Sequence, residues 1–117
     1  MKPNTRFEHA EPILRVSNMP ASLRYYVDVL GFRNADWGTN EFTSVARDGA
    51  SIYLCRDAQG CAGTWVWVGV EDAQALFEEY RASGAKIRQG PVNHPWALEI
   101  QVEDPDGHVL RFGSEPL

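Results

Sequence analysis

The sequence predicts an α+β fold built from two βαβββ modules, and three observations carry the prediction. Two stretches place apolar residues at i, i+3, i+4 and i+7, each following a short strand and ending at a glycine. Each stretch is followed by three strand-like runs. Near the C-terminus, alternating residues lead into Asp104-Pro105-Asp106-Gly107 and alternate again beyond it, the pattern of a tight hairpin.

The elements follow in order. Residues 12–16 form a first strand, after which Ser17 or Asn18 can cap a helix with Pro20 in its first turn. Leu23, Tyr26, Val27 and Leu30 make one helical stripe, and Gly31 ends it. Strands are predicted near residues 32–37, 41–46 and 50–55, the last two joined by Arg47-Asp48-Gly49. The second half repeats this plan. It has a strand at residues 64–70, a cap at Asp72 and a stripe of Ala73, Leu76, Phe77 and Tyr80. Gly84 stops that helix, a short strand covers residues 85–89, and the hairpin closes the chain. Val16 corresponds to Val70, Gly31 to Gly84, and Asp48-Gly49 to Asp106-Gly107, which points to duplication. Residues 1–117 therefore read as one domain, with a first module at about 10–56, a linker at about 57–63 and a second module at about 64–115.

At 44% apolar and 23% charged residues, the composition is that of an ordinary soluble chain. No run approaches the ~18 apolar residues of a membrane span, and the first residues lack an apolar signal region, so a cytoplasmic protein without a membrane partner is the expectation. The net charge of −5 and the scatter of Lys and Arg argue against a nucleic-acid partner. That acidity is compatible with cationic small molecules, although solubility alone accounts for it. Cys55 and Cys61 supply neither a disulfide framework nor a zinc site and read as reduced thiols.

Strand alternation assigns faces. Val66, Val68 and Val70 belong under the helices, leaving Trp65, Trp67 and Gly69 on the opposite face. Leu110 and Phe112 pack while Val109 and Arg111 turn away, and Ile52 and Leu54 pack while Ser51, Tyr53 and Cys55 turn away. Leu14 and Val16 pack, with Glu11, Ile13 and Arg15 opposite. Glu99 and Gln101 alternate with Leu98 and Ile100 and can join the same inner face. A sheet covered by a helix on one face needs a partner on the other.

Tyr25-Tyr26, Leu30-Gly31-Phe32, Val45-Ala46-Arg47-Asp48-Gly49, Pro95-Trp96 and the Asp104-Pro105-Asp106-Gly107 turn form a further set of motifs. Together, from Glu11 to Phe112, they resemble the vicinal oxygen chelate superfamily of glyoxalase I, extradiol dioxygenases and bleomycin-resistance proteins, above all its bleomycin-resistance branch. The resemblance implies cup-shaped mixed sheets and a homodimer whose two cups arise by exchange of halves. The branch often has Gly after the Pro-Trp pair; this chain has Ala97, which narrows the expected groove. The superfamily's metal-ligand positions align with Glu11, Tyr53, Trp65 and Arg111. Trp and Arg cannot ligate a divalent ion, so neither a metal nor another cofactor is expected. Glu11 and Arg111 are expected to pair instead.

No catalytic residue emerges. Ser51 and Cys55 have no inward histidine neighbour, Asp104 and Asp106 serve the turn, and Glu99 is a lone carboxylate. What remains is an aromatic cavity of Trp65, Trp67 and Tyr53, with Trp96, Phe42 and Trp37 at its rim and Glu11, Arg111 and Glu99 as its charges. The expectation is a metal-independent homodimer of the bleomycin-resistance type that sequesters a planar or cationic small molecule, bleomycin-type antibiotics among the candidates. The alternatives are a metal-dependent glyoxalase- or dioxygenase-like enzyme, and a structural dimer whose aromatics only seal an interface.

Overall fold

Both modules build the same four-stranded sheet. The computed structural model describes residues 4–117. The first module comprises β1 (Ile13–Val16), α1 (Met19–Leu23), a π-helical segment (Arg24–Val29), β2 (Arg33–Asn34), β3 (Phe42–Arg47) and β4 (Ala50–Arg56). The second comprises β5 (Trp65–Gly69), α2 (Ala73–Ser83), β6 (Lys86–Asn93), β7 (Leu98–Glu103) and β8 (Val109–Ser114). The strand orders are β1-β4-β3-β2 and β5-β8-β7-β6, so equivalent strands occupy equivalent places. In each sheet the first strand lies parallel to the last and the other pairings are antiparallel. The internal repeat read from the sequence is thus a repeat of topology.

The helical segments differ from one another. Asp72 accepts the Ala75 N–H at 3.0 Å and starts α2, Ala73, Leu76 and Tyr80 are buried along it, and Gly84 stops it in the left-handed conformation. In the first module Asn18 caps α1 through the Ala21 N–H at 3.0 Å, but the predicted continuous α-helix gives way after Leu23. Leu30 N–H donates to Tyr25 O at 2.9 Å, five residues back, and the buried positions become Met19, Ser22, Tyr26 and Leu30. Leu23 and Val27 move to the flanks, half-buried. The wider turn lets both adjacent tyrosines reach the second module, Tyr25 Oη donating to Glu103 O at 2.6 Å and Tyr26 Oη to Asp104 Oδ2 at 2.8 Å.

Two predicted strands change length. β2 shrinks to two residues because a turn closed by Gly38 N–H to Ala35 O, 3.1 Å, takes the chain away from the sheet. β6 extends to Asn93 with register shifts between Ile87 and Gln89 and between Gln89 and Val92, around the Gly90-Pro91 pair.

Helix-side residues of both sheets, including Leu14, Leu54, Ile100, Leu110 and Phe112, join Tyr26, Leu30 and Tyr80 in one hydrophobic cluster. The Asp104-Pro105-Asp106-Gly107 turn locks the halves together. Asp104 Oδ1 accepts the N–H groups of Asp106 and His108, both at 2.9 Å, while Asp106 Oδ1 accepts Ser17 N–H at 3.1 Å and its hydroxyl at 2.8 Å. His108 is fully buried: Nδ1 accepts Thr64 N–H at 3.0 Å and Nε2 donates to Arg15 O at 2.6 Å. Among the described residues, no helix is long and apolar enough to cross a membrane.

Candidate functional site

The candidate residues fall on the two faces that the helices leave uncovered, and they divide between the sheets. On the first, Tyr53 (β4) and Phe42 (β3) stack with centroids 5.0 Å apart, and Trp37 stacks on Phe42 at 6.2 Å. Trp37 and Tyr53 line a recess of about 410 Å³ with Glu11, Arg33 and Asn34. On the second sheet, Trp67, Trp96 and Arg111 converge on Glu99, while Trp65 on the same face lies under Arg88.

Glu99 organises the second face. It is only 3% exposed, yet its Oε1 accepts from Arg111 Nη2 at 2.6 Å and its Oε2 from Trp67 Nε1 at 2.8 Å and Trp96 Nε1 at 3.2 Å. Burial opposes ionisation of this carboxyl, but the donors Arg111, Trp67 and Trp96 outweigh it and hold its pKa below the usual carboxylate range. His94 lies flat on Trp96, centroids 4.4 Å apart and planes 4° apart, with Nε2 3.8 Å from Glu99 Oε1. Trp65 is half exposed, and Arg88 already sits over its ring at 4.8 Å. The arrangement is an indole-rich surface around one charged, fully partnered carboxylate.

The predicted pair of Glu11 and Arg111 does not form. Glu11, just before β1, binds His9 Nε2 at 2.7 Å, whereas Arg111, in β8 of the other sheet, binds Glu99. Strand parity placed all three residues on inner faces, but only strand order says which belong to one sheet. Arg88 and His94 escaped the sequence reading. Arg88 carried the signal of alternation along β6, whereas His94 lies in an irregular loop with no periodic signal. A larger recess, about 730 Å³, lies between the modules, where Ile52, Val68, Tyr80 and Phe112 meet Arg47 and Glu79; of the predicted site residues, Trp67 lines it.

The metal-ligand positions do not suit a divalent ion. Glu11 faces His9, Tyr53 is stacked, Trp65 lies under Arg88 and Arg111 brings positive charge. Among the described residues, no three His, Cys, Asp or Glu side chains converge.

Comparison with known proteins gives the same architecture. The profile of the Glyoxalase/Bleomycin resistance protein/Dioxygenase superfamily matches residues 6–112. A lactoylglutathione lyase of Haemophilus influenzae is 31% identical, the match covering 86% of this chain and 87% of that protein. The bleomycin-binding protein of bleomycin-producing Streptomyces verticillus, solved with copper(II)-bleomycin, superposes with a TM-score of 0.82 at 26% identity, covering 95% of this chain and 98% of its own. TnmS3, an antibiotic-binding protein of Streptomyces sp. CB03234, shares the fold with a TM-score of 0.77 at 22% identity, covering 96% of this chain and 99% of its own.

Proposed function

The chain belongs to the glyoxalase/bleomycin resistance protein/dioxygenase superfamily, and from that premise we propose that it is a metal-independent homodimer that binds and sequesters a planar or cationic small molecule. The observation that carries this reading is the second-sheet face, where Trp67 and Trp96 bind the ionised Glu99 and Trp65, at an aligned metal position that cannot ligate one, stands exposed on the same face. Trp65, Trp67 and Trp96 are 50%, 54% and 62% exposed in the single chain, an apolar surface open to a ligand or to a second copy. Aromatic stacking contributes roughly 0.5–1.5 kcal/mol per pair beyond area burial, so two or three indoles supply about 1–4.5 of the ~8 kcal/mol that micromolar retention needs, and buried apolar area must supply the rest. Likeness to the bleomycin-binding protein and the net charge of −5 favour bleomycin-type antibiotics among the candidates. The two free cysteines, Cys55 and Cys61, suit a reducing cytoplasmic setting.

Tryptophan fluorescence titrated with bleomycin and a panel of planar cations is the test. Saturable quenching is expected, with affinity about three- to tenfold weaker in Trp67→Ala, the loss of one aromatic stack. No saturable response to any probe would leave the aromatics as interface packing alone.

The similarity to lactoylglutathione lyase favours a second reading, a metal-dependent enzyme. It requires ligands other than the four aligned positions. Stoichiometric divalent metal in the purified protein, together with formation of lactoylglutathione from methylglyoxal and glutathione, would replace the sequestration reading with this one.

A further inference from the structure

Trp67 lies in β5 and its hydrogen-bond acceptor Glu99 in β7, with β8 between them, so the indole must cross a strand to reach the carboxylate. Gly113 stands at the crossing, paired with Gly69 on one side and Glu99 on the other. A Cβ on Gly113 would lie 2.7 Å from Trp67 Cζ2 and 3.0 Å from Nε1 and Cε2, closer than side chains pack. One on Gly69 would lie 3.2 Å from Cζ3, at the far edge of the same ring. The indole therefore lies down over bare backbone on two neighbouring strands. Its Nε1–H bond to Glu99 sets its rotation, and Arg111 on the other oxygen keeps that carboxylate an acceptor. Trp67 nevertheless stays 54% exposed, so one face of the ring is presented outward.

The charges of this face are already partnered. Glu99 is only 3% exposed and bonded to Arg111, and Glu103 pairs with Lys86 at 2.5 Å. Neither of these two carboxylates is free to pair with a cationic ligand.

Resting on the binding function proposed above, we infer that Gly69 and Gly113 form a shelf that lays Trp67 flat as a stacking platform, that Glu99 is its positioning residue, and that the ligand class is a planar fused-ring aromatic chosen by its flat face rather than its charge.

Gly113→Ala is the decisive variant. The three nearest atoms to its new methyl all belong to Trp67, whose exposed ring can swing away, so the variant should fold with the wild-type circular dichroism spectrum. Three probes are used: proflavine as a planar cation, 2-naphthalenesulfonate as a planar anion and tetrapropylammonium as a cation without a flat face. Wild type should bind both planar probes and not the third, and Gly113→Ala should weaken both by about tenfold. In nitrogen–proton spectra the Trp67 indole N–H, identified by its loss in Trp67→Phe, should exchange slowly in wild type and rapidly in Gly113→Ala and Glu99→Gln. Gly113→Ala introduced into Trp67→Phe should cost no further affinity. Undiminished binding by Gly113→Ala, or retention of proflavine but not naphthalenesulfonate, overturns the platform while sequestration stands. Failure of every probe and of bleomycin with wild type overturns both.

Discussion

Glu99 keeps a charge in a place that exposes 3% of its surface, and the arrangement predicts how that charge responds to its neighbours and to pH. Burial disfavours the carboxylate, but Arg111, Trp67 and Trp96 outweigh it and lower the folded pKa below the unfolded value. A carboxylate with a lowered folded pKa contributes stability that is fully present above the unfolded value, near 4.3, and is lost as pH falls through the folded one. Arg111→Ala leaves the buried charge with indole donors only. Breaking a fully buried pair costs roughly 3–5 kcal/mol, but Arg111 is a third exposed and the indoles remain, so about 2 kcal/mol is expected at pH 7. The difference from wild type should shrink as pH falls through the lowered folded pKa of Glu99, below which the carboxyl is protonated in both proteins. Denaturant unfolding from pH 3 to 7 measures it. A neutral-pH change within ~0.5 kcal/mol, the range of ordinary surface substitutions, would show that the pair is screened by solvent.

At the scale of elements, what the sequence disclosed depended on whether the signal was local. Caps and alternation are local: Asp72 starts α2, and Val66 and Val68 separate from Trp65 and Trp67 as parity requires. The π-helical segment is not local, since Leu23, Tyr26, Val27 and Leu30 satisfy α-helical spacing equally well. The bonds that fit the wider turn run from Tyr25 and Tyr26 to residues 78 positions away in sequence. The partner of Arg111 was hidden for a similar reason. Glu99 lies diagonally across the ladder, opposite Gly113, while Arg111 faces Gln101. The same long-range logic makes His108 more than a turn residue, because its ring joins the loop before β5 to β1. His108→Phe keeps the volume but leaves Thr64 N–H and Arg15 C=O without partners. At roughly 1–3 kcal/mol for each unsatisfied buried group, a loss of about 2–4 kcal/mol is expected from denaturant midpoints. A loss under about 1 kcal/mol would mean that water enters and replaces both bonds.

The whole molecule is flat, 44 × 43 × 24 Å, with uncovered aromatic faces on both sheets. Its radius of gyration is 15.1 Å, against about 13.4 Å for a compact chain of this length. Its accessible surface is 7277 Å², against about 6,400 Å² for a compact monomer of this mass. Residues 4–12, mostly exposed, contribute to both excesses, as do the uncovered aromatic faces; a standard interface buries ~800 Å² on each partner. A second copy laid over the two aromatic faces would cover them, and this is the physical case for the proposed homodimer. Light scattering at micromolar concentration should give twice the chain mass of 13.1 kDa. If the ligand lies in a groove between subunits, dilution below the dimer dissociation constant should abolish binding as the mass falls. A dimer that binds only when assembled supports an intersubunit groove. A monomer that binds planar probes with undiminished affinity places the ligand on the Trp67 face of a single chain and removes the need for a partner.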